Sequence, residues 1–145
     1  MYLGEYEHSL DAKGRLAIPA RFRAQLGEGA IITRGFDGCL VIYPAEVWQT
    51  VAKKLDSLSS TQEAARMAKR FVFSGATECE FDKQGRVLVP AFLRSYAELT
   101  ETAVVVGQYS RIEIWDRDHW EKVSARAQED GTRIAEQLAS LGLDI

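Results

Sequence analysis

The residues that carry most enzyme chemistry are scarce in this chain. Its 145 residues include two histidines, His8 and His119, and two cysteines, Cys39 and Cys79. The histidines fall in different halves at unmatched positions, and neither stands in ligand spacing with a cysteine, which excludes a histidine-rich metal site. The cysteines lie far apart and outside any CxxC pattern, so they read as buried free thiols in a reducing compartment. There is no glycine-rich phosphate loop, nucleophile elbow or HExxH helix. Glu78 and Glu80 share one strand face and imitate a carboxylate pair, but alternate acids on a hairpin face are ordinarily just solvated. No catalytic activity, cofactor, metal or small-molecule ligand is expected. No apolar run reaches the roughly 20 residues of a membrane span. The start, Met1-Tyr-Leu-Gly-Glu, lacks the charged residues and apolar stretch of a signal peptide. The address expected is cytoplasmic.

Net charge is also small, −3, and of the wrong sign for a nucleic-acid binder. Its distribution is more informative than its sum. Residues 116–145 carry seven acids against four bases, while residues 1–115 balance at fourteen of each. Within the balanced part the bases cluster without acids: Lys13, Arg15, Arg21 and Arg23; then Arg66, Lys69 and Arg70; then Lys83, Arg86 and Arg94. A polyanion responds to such local fields.

Proline is scarce too, and two of the three prolines, Pro19 and Pro90, mark a repeat. Asp11-Ala-Lys-Gly-Arg-Leu-Ala-Ile-Pro-Ala-Arg-Phe-Arg23 returns as Asp82-Lys-Gln-Gly-Arg-Val-Leu-Val-Pro-Ala-Phe-Leu-Arg94, with six of thirteen positions identical. Downstream, Ile42-Tyr43 and Trp48 are answered by Ile114-Trp115 and Trp120. Two copies are too few for a solenoid and indicate a pseudo-twofold protein.

Each copy reads alike. Two β-compatible segments, Glu5–Leu10 with Arg15–Ile18 and Thr77–Phe81 with Arg86–Val89, flank a turn whose glycine, Gly14 or Gly85, takes a positive φ. A short helix follows the proline. Strands are expected at Ala30–Thr33, Cys39–Tyr43, Ala103–Val106 and Ile112–Trp115. An amphipathic helix closes each unit, with Val47, Trp48, Val51, Leu55 and Leu58 on one face of the first, and Asp118 and Glu121 spaced as a capping box in the second. Ser60-Thr-Gln-Glu63 has the same spacing ahead of a linker helix. The helical pattern falters at Asp130-Gly131 and resumes with Ile134, Leu138 and Leu141. The boundaries expected are a first repeat at 5–47, a helical linker at 48–75, a second repeat at 76–119 and a helical tail at 120–145. Neither repeat holds enough apolar surface to stand alone. Interleaving their hairpins into a small barrel removes the exposed edges, so the fold class is α+β: a small pseudo-twofold β-barrel with peripheral helices.

Asp-x-x-Gly-Arg followed by alternating apolar residues and proline, as Asp11–Pro19 and Asp82–Pro90, resembles the SpoVT/AbrB-like swapped-hairpin barrel. Two such copies in tandem, opening on Met-Tyr-Leu-Gly-Glu-Tyr and carrying Ile-Glu-Ile-Trp-Asp116 before an acidic tail, resemble the MraZ family of bacterial transcriptional regulators. The resemblance implies a nucleoid-associated, sequence-specific DNA-binding protein that assembles into a homo-oligomeric ring. It implies binding to repeated double-stranded promoter sites upstream of the cell-division and cell-wall gene cluster that begins with its own gene, usually as a repressor. The rival reading is an oligomeric protein-binding module of antitoxin-like type, which this barrel also supports.

Lys13, Gly14, Arg15 and Arg21 are the DNA-binding candidates. Lys13 sits at a turn tip without a partner, and a guanidinium such as Arg15 can hold a carboxylate while still offering N–H groups to phosphate or a guanine edge. Asp11, Asp82, Gly85 and Arg86 are assigned to the structural motif, the aspartates because a carboxylate facing phosphate is repelled. Arg23 has its counterpart in Arg94, which by symmetry indicates a structural pair. Arg66, Lys69 and Arg70 are read as a solvated helix face, and the three tryptophans as core or interface anchors.

Overall fold

Every strand pair in the chain is antiparallel, including the continuously apolar runs Leu40–Ile42 and Ala103–Val106, which are buried on both faces. The computed structural model describes residues 1–145. Its elements in order are β1 (Glu5–Ser9), β2 (Arg15–Ala17), α1 (Ala20–Leu26), β3 (Ile31–Arg34), β4 (Leu40–Tyr43), α2 (Ala45–Asp56), α3 (Glu63–Gly75), β5 (Thr77–Glu78), β6 (Arg86–Leu88), α4 (Ala91–Tyr96), β7 (Thr102–Gly107), β8 (Ile112–Asp116), α5 (Arg117–Glu129) and α6 (Gly131–Ser140). Six strands form one sheet in the order β1-β7-β8-β4-β3-β5, and β2 pairs with β6 in a separate ribbon. The fold is α+β.

The two repeats meet on a pseudo-twofold axis that the register makes explicit. In the ribbon, Leu16 lies opposite Val87, its own repeat counterpart. In the large sheet, Val41 lies opposite Glu113, again its counterpart. The outer strands cross between halves: β1 pairs with β7, and β5 pairs with β3. Neither half therefore completes its sheet without the other.

The expected closed barrel is not formed. The large sheet stays open between β1 and β5, and the ribbon joins it only through single bridges, Leu10 to Leu16 and Phe81 to Val87. The cause is strand length. The ribbon strands have three residues each, because the turn on one side and Pro19 or Pro90 on the other leave no room for a longer ladder. The segment expected as Thr77–Phe81 likewise pairs as a strand only over Thr77–Glu78.

The principal core lies between sheet, ribbon and the short helices. Leu16, Ile18, Phe22, Ile32, Leu40 and Ile42 come from the first repeat, and Val87, Val89, Leu93, Val105, Ile112 and Ile114 from the second. At about 1.5–3 kcal/mol per large apolar side chain buried, neither repeat's share alone offsets the entropy of ordering its chain. The one fully buried polar side chain, Thr33, donates Oγ1–H to the Val72 carbonyl at 2.6 Å. A smaller cluster of Cys39, Val41, Val104, Val106 and Trp115 covers the other sheet face. Trp48 packs on Tyr43 and Phe73, and Trp120 packs on Trp115.

Local details differ from the sequence expectations in instructive ways. Helix α3 starts at Glu63 with Gln62 at the cap position, two residues after the expected Ser60, and no side chain bonds to its first turn. In α5 the cap is Asp116, whose carboxylate accepts the His119 N–H at 3.2 Å, two residues before the expected position. The break at Asp130 separates α5 from α6 as the pattern indicated. Both cysteines are free, Cys39 buried and Cys79 half-buried, and burial pushes both thiols up to about 12. No helix is long and apolar enough to cross a membrane.

Candidate nucleic-acid interface

The Asp-x-x-Gly-Arg motif builds the same turn twice. One oxygen of Asp11 accepts the backbone N–H groups of Lys13 at 3.0 Å and Arg15 at 2.8 Å. The equivalent oxygen of Asp82 accepts those of Gln84 at 2.9 Å and Arg86 at 3.0 Å. The second oxygen takes the arginine Nε–H, from Arg15 at 2.7 Å and from Arg86 at 2.8 Å. A short carboxylate is needed to reach its own backbone two residues on. Glycine is needed because Gly14 and Gly85 sit at φ +85° and +75°. The Arg15 backbone N–H is the main reason the Asp11 carboxyl lies below its ordinary value of 3.8, with the guanidinium adding to it and partial desolvation opposing it. The Arg86 backbone N–H does the same for Asp82.

Antiparallel pairing then sets the two motifs side by side. Arg15 lies opposite Leu88, and Ala17 opposite Arg86. Leu16 and Val87 point inward and are fully buried. The opposite face of the ribbon therefore presents Arg15, Ala17, Arg86 and Leu88, with the arginines on a diagonal. Four of the residues singled out by the sequence, Asp11, Arg15, Asp82 and Arg86, form one charge cluster. Lys13 stands exposed at the tip of the first turn. Arg21 is exposed on α1, outside this cluster, without a hydrogen bond or ion pair.

The twofold is broken within the cluster. Arg86 bridges both carboxylates, donating Nε–H to Asp82 at 2.8 Å and Nη1–H to Asp11 at 3.4 Å. Arg15 contacts Asp11 alone, through Nε, so both of its terminal nitrogens are uncommitted. The surroundings differ in the same direction. The first copy has Ser9, Lys13 and Arg21 where the second has Glu80, Gln84 and Phe92. Exposed Lys83 restores one charge to the second turn, beside Glu80.

Elsewhere the basic linker residues are tied to the protein. Arg66 donates to the Ser60 carbonyl at 2.9 Å and Lys69 to the Leu58 carbonyl at 2.8 Å, fastening the connection between α2 and α3. Arg34, which the sequence reading passed over, donates to the Phe71 carbonyl at 3.0 Å and lies over the rings of Phe71, Phe92 and Tyr96. Leu88 escaped it too, although its place in a strand that alternates with buried Val87 and Val89 was a usable signal for an outward side chain.

Comparison with known proteins agrees with this arrangement of two related halves. The model of the family described as "MraZ protein, putative antitoxin-like" matches the chain twice, over residues 1–71 and 72–141. A protein named transcriptional regulator MraZ from Desulfitobacterium hafniense (strain DSM 10664 / DCB-2) is 52% identical over 143 residues, covering 99% of this chain and 100% of the relative. Proteins of the same name are 50% identical over 145 residues in Pelotomaculum thermopropionicum, covering both chains completely, and 47% identical over 143 residues in Pediococcus pentosaceus, covering 99% of this chain and 100% of the relative. The chain belongs to the MraZ family.

Proposed function

We propose that the chain is a transcriptional regulator that binds double-stranded DNA through the outward face of the β2–β6 ribbon and the first turn. The observation that carries this reading is the pair of diagonal arginines on an exposed two-stranded ribbon, one of them with free terminal nitrogens, beside an unpaired lysine. A two-stranded ribbon is narrow enough for the major groove of B-DNA, and a free guanidinium fork suits a guanine edge or a phosphate. In this reading Arg15 reads or grips, Lys13 and Arg21 attract phosphate, and Gly14, itself buried against Arg94, shapes the turn that presents them. Asp11, Asp82, Gly85 and Arg86 hold the shape. The protein is a binding protein, not a catalyst.

The finer proposals follow from the family and the fold together. The exchange of β1 and β5 between halves supports a swapped-hairpin arrangement, without closure into a barrel, in which residues 5–47 and 76–119 are the two repeats, with 48–75 and 120–145 as linker and tail. The exposed apolar side chains of α3 and α6 support assembly of copies into a ring. A ring presenting one turn per subunit suits repeated operator boxes, since linked contacts gain through effective concentration. The target proposed is the promoter of the cell-division and cell-wall cluster containing its own gene, with repression as the outcome in the nucleoid.

The test is a titration of that promoter fragment against a scrambled fragment at several salt concentrations. Preference for the promoter, with an affinity that falls steeply with salt by counterion release, is expected. Equal binding to both fragments, or none, refutes it. A second reading, the antitoxin-like protein-binding module, is favoured by one feature: the open apolar groove of Phe36, Ala64, Met67, Ala68 and Phe71, about 300 Å³ in volume. An apolar protein interface there would be insensitive to salt.

A further inference from the structure

The first turn is held by the other repeat. Arg94, from α4, extends its guanidinium beneath Gly14, and a methyl group on Gly14 would collide with that guanidinium and with the Val89 carbonyl. Arg94 Nη1 donates to the Val89 carbonyl at 2.6 Å and reaches the Lys13 carbonyl at 3.5 Å. The Gly14 carbonyl in turn accepts the Val89 N–H at 2.8 Å. The Lys13 and Gly14 carbonyls are thus both held by residues of the second repeat, while the Gly14 N–H bonds to the Asp11 carbonyl of its own turn at 3.0 Å.

The second turn has a looser version of the same grip. Arg23, from α1, lies beneath Gly85 and donates Nε–H to the Ile18 carbonyl at 3.0 Å, while the Gly85 carbonyl accepts the Ile18 N–H at 3.3 Å. No hydrogen bond joins Arg23 to the carbonyl of Gln84, the residue standing where Lys13 stands. Neither Arg94 nor Arg23 has a carboxylate within ion-pair distance. Each charge is balanced only by carbonyl dipoles and stays available to the field of a polyanion.

We infer that Arg94 is a positioning residue for the DNA-contacting turn, supplied across the pseudo-twofold by the repeat that does not itself read DNA. The inference rests on the DNA-binding reading above. Both carbonyls are approached by the one Nη1 nitrogen, which stands an atom farther from the backbone than a lysine Nζ, so an ammonium is too short to reproduce both contacts. Arg94 thereby sets the direction of the Lys13 tip and adds positive potential directly behind it. The reading site is composite: the first repeat supplies Lys13 and Arg15, and the second supplies the brace.

Arg23 is the internal control, since it occupies the equivalent place under the turn that lacks the lysine, with one carbonyl bond where Arg94 has two. The experiment compares Arg94→Met, Arg23→Met and the wild-type chain by thermal melts and by binding to the promoter fragment at two salt concentrations. Both variants should lose similar amounts of melting temperature. Arg94→Met should lose roughly tenfold in promoter affinity, and Arg23→Met less than about twofold. Arg94→Lys should bind between wild type and Arg94→Met. If Arg94→Met does not fold, Arg94→Lys against Arg23→Lys makes the same comparison. Equal losses of affinity at the two sites reveal a merely structural pair and overturn the inference, as does undiminished binding by Arg94→Met. Wild-type protein that ignores the promoter overturns the DNA-binding reading and this inference with it.

Discussion

Gly14 and Gly38 share a φ of +85°, yet a methyl group would meet the side chain of Arg94 and the Val89 carbonyl at Gly14, and nothing within 4 Å at Gly38. Replacing each by alanine separates conformational cost from steric cost. The left-handed conformation costs an L-residue roughly 1–2 kcal/mol at either site. The gain from stiffening the unfolded chain is also common to both and cancels. At Gly14 the Arg94 guanidinium must also move away. That sacrifices its bond to the Val89 carbonyl, about 1.5–3 kcal/mol for a charged donor, and adds an overpacking cost of about 1–3 kcal/mol. Gly14→Ala should therefore be less stable than Gly38→Ala by roughly 3 kcal/mol, or about 10 °C in melting temperature. Gly85→Ala, whose methyl group would meet Arg23, should resemble Gly14→Ala. Because assembly makes melting temperature depend on concentration, all three are compared at one protein concentration. If Gly14→Ala and Gly38→Ala melt within about 2 °C of each other, well below that expected gap, the grip of Arg94 on the turn is not what the geometry implies.

Lys13→Ala and Arg15→Ala should weaken promoter binding about tenfold with little change in melting temperature, and Lys13→Ala should lower the salt slope by about one. Arg86→Ala should mainly lower the melting temperature, because Arg86 bridges both carboxylates. Loss of binding by Arg86→Ala at unchanged stability, with normal binding by the other two, would place DNA on a different face. The lowered carboxyl of Asp82 stabilises the fold above its unfolded value, near 3.8, and that contribution is lost as pH falls through the folded value. Wild type should accordingly exceed Asp82→Asn in stability at neutral pH and converge on it as pH falls well below 3.8, as pH-dependent urea melts would register. Met67→Glu and Leu138→Glu should reduce the assembly seen by light scattering. A wild-type mass of 16.2 kDa across the micromolar range would refute self-association outright. Deletion of residues 131–145 should leave specific promoter binding intact, since that segment lies outside both motifs; loss of binding by a folded, assembled deletion variant contradicts this.

What the sequence made legible was local. The Asp-x-x-Gly-Arg turn needs a carboxylate, a glycine and an arginine within five residues, so the pairing of Asp11 with Arg15 and of Asp82 with Arg86 could be read from spacing. The buried faces of Phe22 with Leu26, and the break at Asp130, were legible for the same reason. Contacts between the repeats were not. Residue spacing records that β2 and β6 are strands, but not that they pair with each other in a ladder three residues long, too short to close a barrel. Caps were misjudged because Ser60 and Asp118 have the right chemistry, while chain direction at those points brings Gln62 and Asp116 to the cap position. The grip of Arg94 on the first turn was hidden most completely. Each arginine follows its own turn glycine by the same interval in both copies, and that periodicity suggests a contact within each repeat, whereas the fold crosses them.

A duplicated protein that kept perfect twofold symmetry would present two identical turns and hold each with an identical brace. Here the substitutions are not scattered evenly over that scheme. Gln84 and Phe92 remove positive charge from the second turn and its surroundings and Glu80 adds a negative one, while Arg86 gains the extra bond to Asp11 that Arg15 does not return to Asp82. The three positions that change charge are exposed, the differing core positions stay apolar, and the residues that hold the turns, Asp82, Gly85, Arg86 and both buttressing arginines, are the same in kind. That division fits a molecule in which one copy kept the role of reading and the other the role of bracing. A bracing role alone would be enough to keep the complete Asp-x-x-Gly-Arg pattern in the second motif. If Gly85→Ala lost as much promoter affinity as Gly14→Ala at equal cost in stability, both turns would be readers and this division would be wrong.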